Sequence, residues 1–312
     1  MPRIVTLTLN PCIDRTIRLD RPDVFEEQTG GKGVNVARVL GNFGMDCVAV
    51  APVGKGDNSV RFRALAAQEG IKLLESPVSF DVRRIDTYWD PSDNSQRVDY
   101  AKGTDASEVE IMSLRSILSQ ALAGAVLLIV SGSAPGPNLS AFAGEAIRMA
   151  KEMSVETLLD SNGPALTYGL AAGPGLIKPN QAECAQILGR EIAEGDEDIA
   201  AEEILSLHAN NGLRGVIVSI GERGAVWARE GGTLLCPAPK IVPVNAVGSG
   251  DSFVAALCWA LLSGYSDMGA LTMACAAGAA NAAMFPAARV TPEDMARVTS
   301  GDSVPRTPCQ GE

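Results

Sequence analysis

A three-layer α/β fold, with a mostly parallel central sheet and a small β-sheet lid, is what the sequence predicts. Three observations carry it. Apolar, β-branched runs at 4–9, 47–51, 126–130, 155–159, 176–178 and 215–219 alternate with stretches of helical spacing, which is the rhythm of β-α-β units. Several of those runs are almost continuously apolar, as strands covered on both faces are. The rhythm breaks once, near 83–100, where two charge-rich extended segments flank Pro91-Ser92-Asp93-Asn94.

Taken in order, the strand 4–9 stops at Asn10-Pro11. Residues 15–20 alternate, with Ile17 and Leu19 on one face, and read as a strand with one wet side. After an acidic stretch at 23–27, Gly30-Gly31-Lys32-Gly33-Val34-Asn35 opens a helix that carries Val36, Val39, Leu40 and Phe43 and closes at Gly44. Strand 47–51, helix 57–69 and strand 71–75 complete a first parallel unit. Segments 83–89 and 96–100 form a hairpin with few core residues. Joined to 15–20 it could stand off the body as a lid, or it could be a decorated edge hairpin protected by its charges. Helix 108–121, strand 126–130, helix 139–151, strands 155–159 and 176–178, helix 196–211 and strand 215–219 continue the pattern. Next come a helix at 251–263 stopped by Gly264 and a small-residue helix at 267–283. The last helix starts at Thr291, where Thr-Pro-Glu-Asp supplies a cap, an N1 proline and early acids. The expected organisation is one domain over 1–300, with a lid from about 12–20 and 82–103 and a disordered tail at 301–312.

Composition narrows the function. A chain of 312 residues that is 46% hydrophobic can bury a large core without disulfides or metals. With 26 Lys and Arg against 37 Asp and Glu, the net charge of −11 disfavours nucleic acid as a partner. Seven scattered cysteines with no Cys-x-x-Cys fit a reducing compartment. No leader pattern or membrane-length apolar run is present, so a soluble cytoplasmic protein with no membrane partner is expected. The one histidine, His208, stands among polar neighbours, which argues against a His-based triad or metal site.

Chemistry points to Gly248-Ser249-Gly250-Asp251, a glycine-rich turn at the start of a helix. Unpaired N–H groups and the positive end of the helix dipole favour an anion there. An aspartate held beside a phosphate carries the same charge as its neighbour, and its useful task is to accept a proton from an attacking hydroxyl. Taken alone, the same run also reads as an ordinary helix cap. In a parallel sheet ligands collect at the C-terminal strand ends, so the polar loops starting at Ser131, Asp160, Lys178 and Ser219 are candidates too.

Together these stretches resemble the ribokinase-like (PfkB) carbohydrate kinases. The similarity spans nearly the whole chain from Thr8 to Asn281, with Gly30-Gly31-Lys32-Gly33-Val34-Asn35-Val36-Ala37 and Val247-Gly248-Ser249-Gly250-Asp251-Ser252 as its two signatures. The Thr-Leu-Asn-Pro-Cys-Ile-Asp opening and Ile-Lys-Pro-Asn-Gln resemble the hexose-phosphate kinase branch of that family.

The resemblance implies Asp251 as catalytic base, with the amides of Gly248, Ser249, Gly250 and Asp251 as anion hole. It puts Asp14, Gly31, Lys32, Gly33 and Asn35 on the sugar, with Ser133, Arg84 and Arg97 as further acceptor contacts. Lys178, Asn180, Ser219, Gly221, Gly224 and Asn281 are assigned to ATP, and Asn180 with Glu183 to Mg²⁺; Asn180 and Glu183 also read as a capping box. The first lid strand departs from the family's Thr-Arg-x-Asn, reading Arg83-Arg84-Ile85-Asp86. Either Arg84 and Arg97 clamp a substrate phosphate, or Asp86 and Asp99 pair with them or accept from the hydroxyls of an unphosphorylated sugar or nucleoside. An ATP- and Mg²⁺-dependent ketohexose-phosphate kinase is the leading expectation, and a non-catalytic sugar-binding protein the weakest. An exposed lid could also serve as a homodimer surface.

Overall fold

The computed structural model describes residues 2–90, 92, 95–285 and 287–301. The chain begins with β1 (Arg3–Leu7), β2 (Cys12–Arg18), β3 (Phe25–Gly30), α1 (Lys32–Asn42), β4 (Asp46–Val53), α2 (Asp57–Gln68) and β5 (Lys72–Pro77). Then come β6 (Arg83–Asp90), β7 (Ser95–Tyr100), α3 (Glu108–Leu122), β8 (Ala125–Ser131), α4 (Pro137–Glu152), β9 (Glu156–Asp160) and α5 (Gly163–Ala171). The rest is β10 (Leu176–Ile177), α6 (Gln181–Leu188), α7 (Glu197–His208), β11 (Gly215–Ser219), β12 (Ala225–Arg229), β13 (Gly232–Cys236), α8 (Ser249–Leu262), α9 (Asp267–Ala282) and α10 (Pro292–Ser300).

Among the described residues, nine strands form the main sheet in the order β13-β12-β11-β10-β9-β8-β1-β4-β5. It is parallel except where β12 pairs antiparallel with β11 and β13. Alternation along each strand feeds two cores. Ile4, Leu127 and Ile129 join a cluster with α1, α8 and α9, whereas Val5, Leu7, Leu128 and Val130 join one with α3, α4 and α7. Helices therefore cover both faces, as the continuous apolar strands require.

The second sheet, β3-β2-β6-β7, is the lid. It contains one strand more than the sequence suggested, because the acidic 23–27 stretch runs into β3 and pairs antiparallel with β2. At its root, Ile13 and Val82 pack with Val34, Ala51, Phe62 and Leu65, which fastens the lid to the body. The turn expected at 91–94 lies outside the described residues except for Ser92, as does the expected tail beyond Gly301.

Candidate active site

The acceptor side is built where β3 passes directly into the glycine-rich turn and α1. A methyl group on Gly33 would come 2.4 Å from Thr8 Oγ1, so only glycine lets the first turn of α1 lie against the end of β1. One turn on, buried Asn35 donates from Nδ2 to Asp251 Oδ2 at 2.7 Å. Asp14 projects from β2 and accepts from Cys12 Sγ at 3.3 Å. Burial raises its carboxyl pKa, against the opposing pull of Cys12, Arg38 and Arg83. Ser133 is tied to the end of β1, its hydroxyl accepting from Asn10 Nδ2 at 3.3 Å.

The anion side is the start of α8. Gly248 has φ of 82°, and a methyl group there would meet the Ala288 backbone nitrogen at 2.8 Å. Asp251, in the first turn, is 5% exposed. Burial pushes its carboxyl up to about 6; Lys32, Asn35 and Lys178 oppose that rise and Asp160 adds to it. The Ser249 amide donates to Ala246 O at 3.2 Å, so of the four amides expected in the anion hole this one is already engaged in the turn.

Between the two turns lies a carboxylate that sequence reasoning left unassigned. Asp160, at the end of β9, is fully buried and sits 3.3 Å from Lys32 Nζ and 3.2 Å from Lys178 Nζ, while Ser131 Oγ donates to it at 3.2 Å. Burial alone would raise its pKa, but Lys178 and Lys32 outweigh that and hold it below the usual carboxylate value. Asp160 in turn raises the pKa of Lys32. The signal available was an acid directly after the apolar pair Leu158-Leu159 at a strand's C-terminal end.

Lys178, itself buried, also approaches the α8 turn: a methyl group on Gly250 would lie 4.0 Å from its ammonium. It stands 3.5 Å from Ser219 Oγ. Asn180 caps α6, accepting from the Glu183 amide at 2.9 Å while the Glu183 carboxylate accepts from the Asn180 amide at 2.8 Å. The capping box is therefore formed. Burial, then Asp160, raises the Glu183 pKa. Gly221 and Gly224 form the turn between β11 and β12, closed by the Ile220 amide donating to Gly224 O at 2.8 Å.

Three residues named from the resemblance are placed away from the cleft. Asn281 has no exposed surface to offer a nucleotide. Its amide donates to Val247 O at 2.7 Å and Ser249 Oγ at 3.1 Å and accepts from the Ala288 amide, so it braces the anion turn from behind. Arg84 and Arg97 also fail to face the Asp14 side. Register pairs Asp14 with Ile85 and Ile85 with Tyr100, which puts Arg84, Asp86, Arg97 and Asp99 on the opposite face. There Arg84 meets Asp86 at 3.0 Å, and Arg97 meets Asp99 at 3.4 Å and lies over the Tyr88 ring. Arg83, one residue earlier, does share the face of Asp14: it pairs with Cys12 and lowers that carboxyl's pKa. Its Nη1 donates to Ala101 O at 3.2 Å, and its buried Nε has no hydrogen-bond partner.

Under the lid, a cavity of about 550 Å³ is lined by Asp14, Thr16, Gln28, Ile85, Thr87, Val98 and Tyr100 on one side and by Asn245, Val247, Ala287 and Arg289 on the other. Asp251 is not part of this lining, though Asp14 and Val247, four residues before it, are. A lidded cleft beside a glycine-rich helix start and a buried carboxylate is the architecture of a phosphotransferase acting on a small polar acceptor.

Residues 5–291 match the pfkB family carbohydrate kinase profile, and the chain belongs to that family. It is an ATP-dependent carbohydrate kinase. It is 30% identical to 1-phosphofructokinase of Vibrio cholerae, over 82% of each chain. To tagatose-6-phosphate kinase of Staphylococcus epidermidis it is 31% identical, over 89% of this chain and 92% of the other. Among solved structures it is similar to phosphofructokinase-2 from Escherichia coli, determined in complex with potassium: 27% identity, TM-score 0.87, covering 96% of this chain and 99% of that one.

Proposed function

We propose that the protein transfers the γ-phosphoryl group of ATP to a primary hydroxyl of a ketohexose phosphate. The observation that carries this reading is the Asn35–Asp251 contact, a buried carboxylate held by an amide from the acceptor turn at the mouth of an anion-binding helix. Asp251 takes the hydroxyl proton, the free amides of the α8 turn and Lys178 receive charge developing on the phosphoryl oxygens, and the lid excludes water. Asp14 and Asn35 orient the acceptor. Arg83, a permanent cation on the Asp14 face with an unused Nε, is our candidate for the acceptor's own phosphate. That the relatives named above are sugar-phosphate kinases supports this choice.

Of the carboxylates here only Glu183 suits Mg²⁺, a hard oxygen donor at the α6 cap for an ion that keeps most of its water; Asp160 is fully buried and already paired with Lys32, Lys178 and Ser131. When bound it neutralises phosphate charge. Glu183, with Asn180, would hold it through water.

A second reading, an unphosphorylated sugar or nucleoside as acceptor, is favoured by the Arg84–Asp86 and Arg97–Asp99 pairs, which leave those two arginines engaged within the lid. An ADP-release assay with Mg·ATP across fructose 1-phosphate, fructose 6-phosphate, tagatose 6-phosphate, free ketohexoses and nucleosides separates the two. Turnover on a phosphorylated ketose is expected; turnover confined to unphosphorylated acceptors would overturn the assignment. The lid is also our proposed homodimer surface, since β3 and β7 end its sheet and Arg97 and Asp99 are exposed on its outer face. A monomer by light scattering at working concentration would reject it.

A further inference from the structure

Behind the reacting centre lies a group of buried charges with no contact to any expected ligand. Arg38, in α1, is 4% exposed, and its counter-charge Glu69, at the end of α2, has a side chain 6% exposed; the two meet at 3.0 Å. A buried ion pair is an expensive way to hold a fold together, because apolar residues of similar volume usually do as well. Its hydrogen bonds indicate what it does here. Arg38 Nη1 donates to Asn35 Oδ1 at 2.9 Å, and the Asn35 Nδ2 that this leaves donates to Asp251 Oδ2 at 2.7 Å. An asparagine amide can be turned either way. Turned the other way, its oxygen would face both the Asp251 carboxylate and nothing that donates, and its NH₂ would face a guanidinium. Arg38 forbids that.

The same pair grips the strand that delivers the acceptor turn. Arg38 Nη2 donates to Thr29 O and, at 2.7 Å, to Thr29 Oγ1; Glu69 accepts from the Thr29 amide at 3.1 Å and from its hydroxyl. Thr29 is the last residue before Gly30-Gly31. From the other side, Arg289 reaches Glu69 at 3.4 Å, and its neighbour Ala288 donates to Asn281, which braces the anion turn. The contacts run in a loop from Asp251 through Asn35, Arg38, Glu69, Arg289 and Asn281 back to the start of α8.

We infer that Arg38 and Glu69 are positioning residues for phosphoryl transfer: they lock the Asn35 amide in the one orientation that donates to Asp251 and hold the acceptor turn and the anion turn in register. This rests on Asp251 being the base.

The test is a kinetic double-mutant cycle on the full chain, using whichever acceptor supports turnover. Arg38→Met is expected to lower kcat about tenfold or more, the effect of losing one charge-assisted hydrogen bond in the transition state, with a smaller change in KM. In an Asn35→Ala background the same exchange should have little further effect, because the residue through which Arg38 acts is gone. The acid limb of the kcat–pH profile should move to higher pH in Arg38→Met, as Asp251 loses a fixed donor. The charges that face Asp251, namely Lys32, Asp160 and Lys178, are untouched by the exchange, as are Glu69, Asp14 and Arg289 around Arg38. Arg38→Lys, which keeps a cation for Glu69, should recover part of the loss. If Arg38→Met fails to fold, Arg38→Met with Glu69→Gln removes both charges together and carries the same cycle. Equal losses with and without Asn35, and an unmoved acid limb, overturn the inference. An Asp251→Asn enzyme that turns over normally overturns the base assignment and this inference with it, whereas an inactive Asp251→Asn with an additive cycle overturns this inference alone.

Discussion

On the floor of the cleft two lysines converge on one carboxylate, Lys32 and Lys178 on Asp160. On the lid each arginine meets an acid two residues along its own strand, Arg84 with Asp86 and Arg97 with Asp99. The floor charges come from separate segments, with Asp160 and Lys178 buried and Lys32 partly exposed, so each depends on the whole fold being in place. The lid pairs are local; Arg97–Asp99 is well exposed and of the kind worth about 0–1 kcal/mol, and Arg84–Asp86 is partly exposed. A molecule built this way can change which acceptor it covers at little cost in stability, whereas exchanging Asp160 would leave Lys178 buried without its counter-charge.

The largest effect that would sharpen the contrast is at Asp251. Asp251→Asn is expected to lose roughly 10²- to 10⁴-fold in turnover, as a missing general base does, and yet to melt at a higher temperature at pH 7. The sign follows from the raised pKa, about 6 against 3.8: the folded state holds its proton more tightly, so the stability this group contributes is present below pH 3.8 and lost as pH rises through about 6. By the same reasoning wild-type kcat/KM should fall as pH drops below about 6. Near-normal turnover, or a lower melting temperature, would break the account.

Next in size is Gly248→Ala, which forces a side chain into the left-handed region at about 1–2 kcal/mol and against the Ala288 backbone. Calorimetry should show a lower melting temperature together with weaker ATP binding. A smaller effect separates the two faces of the lid. Arg83→Met should raise KM for a phosphorylated acceptor about tenfold or more, as loss of one charge-assisted phosphate contact would, while Arg84→Met leaves it within about twofold. The opposite order would mean that the outer face binds the acceptor. Smallest of all, Arg97→Met should shift stability by no more than about 0.5 kcal/mol, the usual range for an exposed side chain, as urea denaturation would read.

Both glycine turns and the parallel body were legible in the sequence because they are local: a turn signal, a helical spacing and an apolar strand lie within a few residues of one another. The parts that were not legible depend on distant partners. The segment carrying β3 is acid-rich and has poor strand propensity; it is extended because Glu27 and Glu26 pair across from Arg15 and Thr16 of β2. Asp160 reads as a loop acid until Lys32, 128 residues away, is brought against it. For the lid arginines, alternation separates Arg83 from Arg84 at once, but only the pairing of Cys12 with Arg83 says which of them shares the face of Asp14. The edge hairpin β12–β13 was passed over, although Glu230-Gly231-Gly232 carried a turn signal.

The strand order β8, β9, β10, β11, β12, β13 runs outward from β1 in the same sequence as the chain is made. Each of these strands therefore pairs with the one made just before it, so the second half of the sheet is built from neighbours in the sequence. The segment bearing Asp251 follows all of them. A product that stops at the end of the sheet would therefore lack the proposed base.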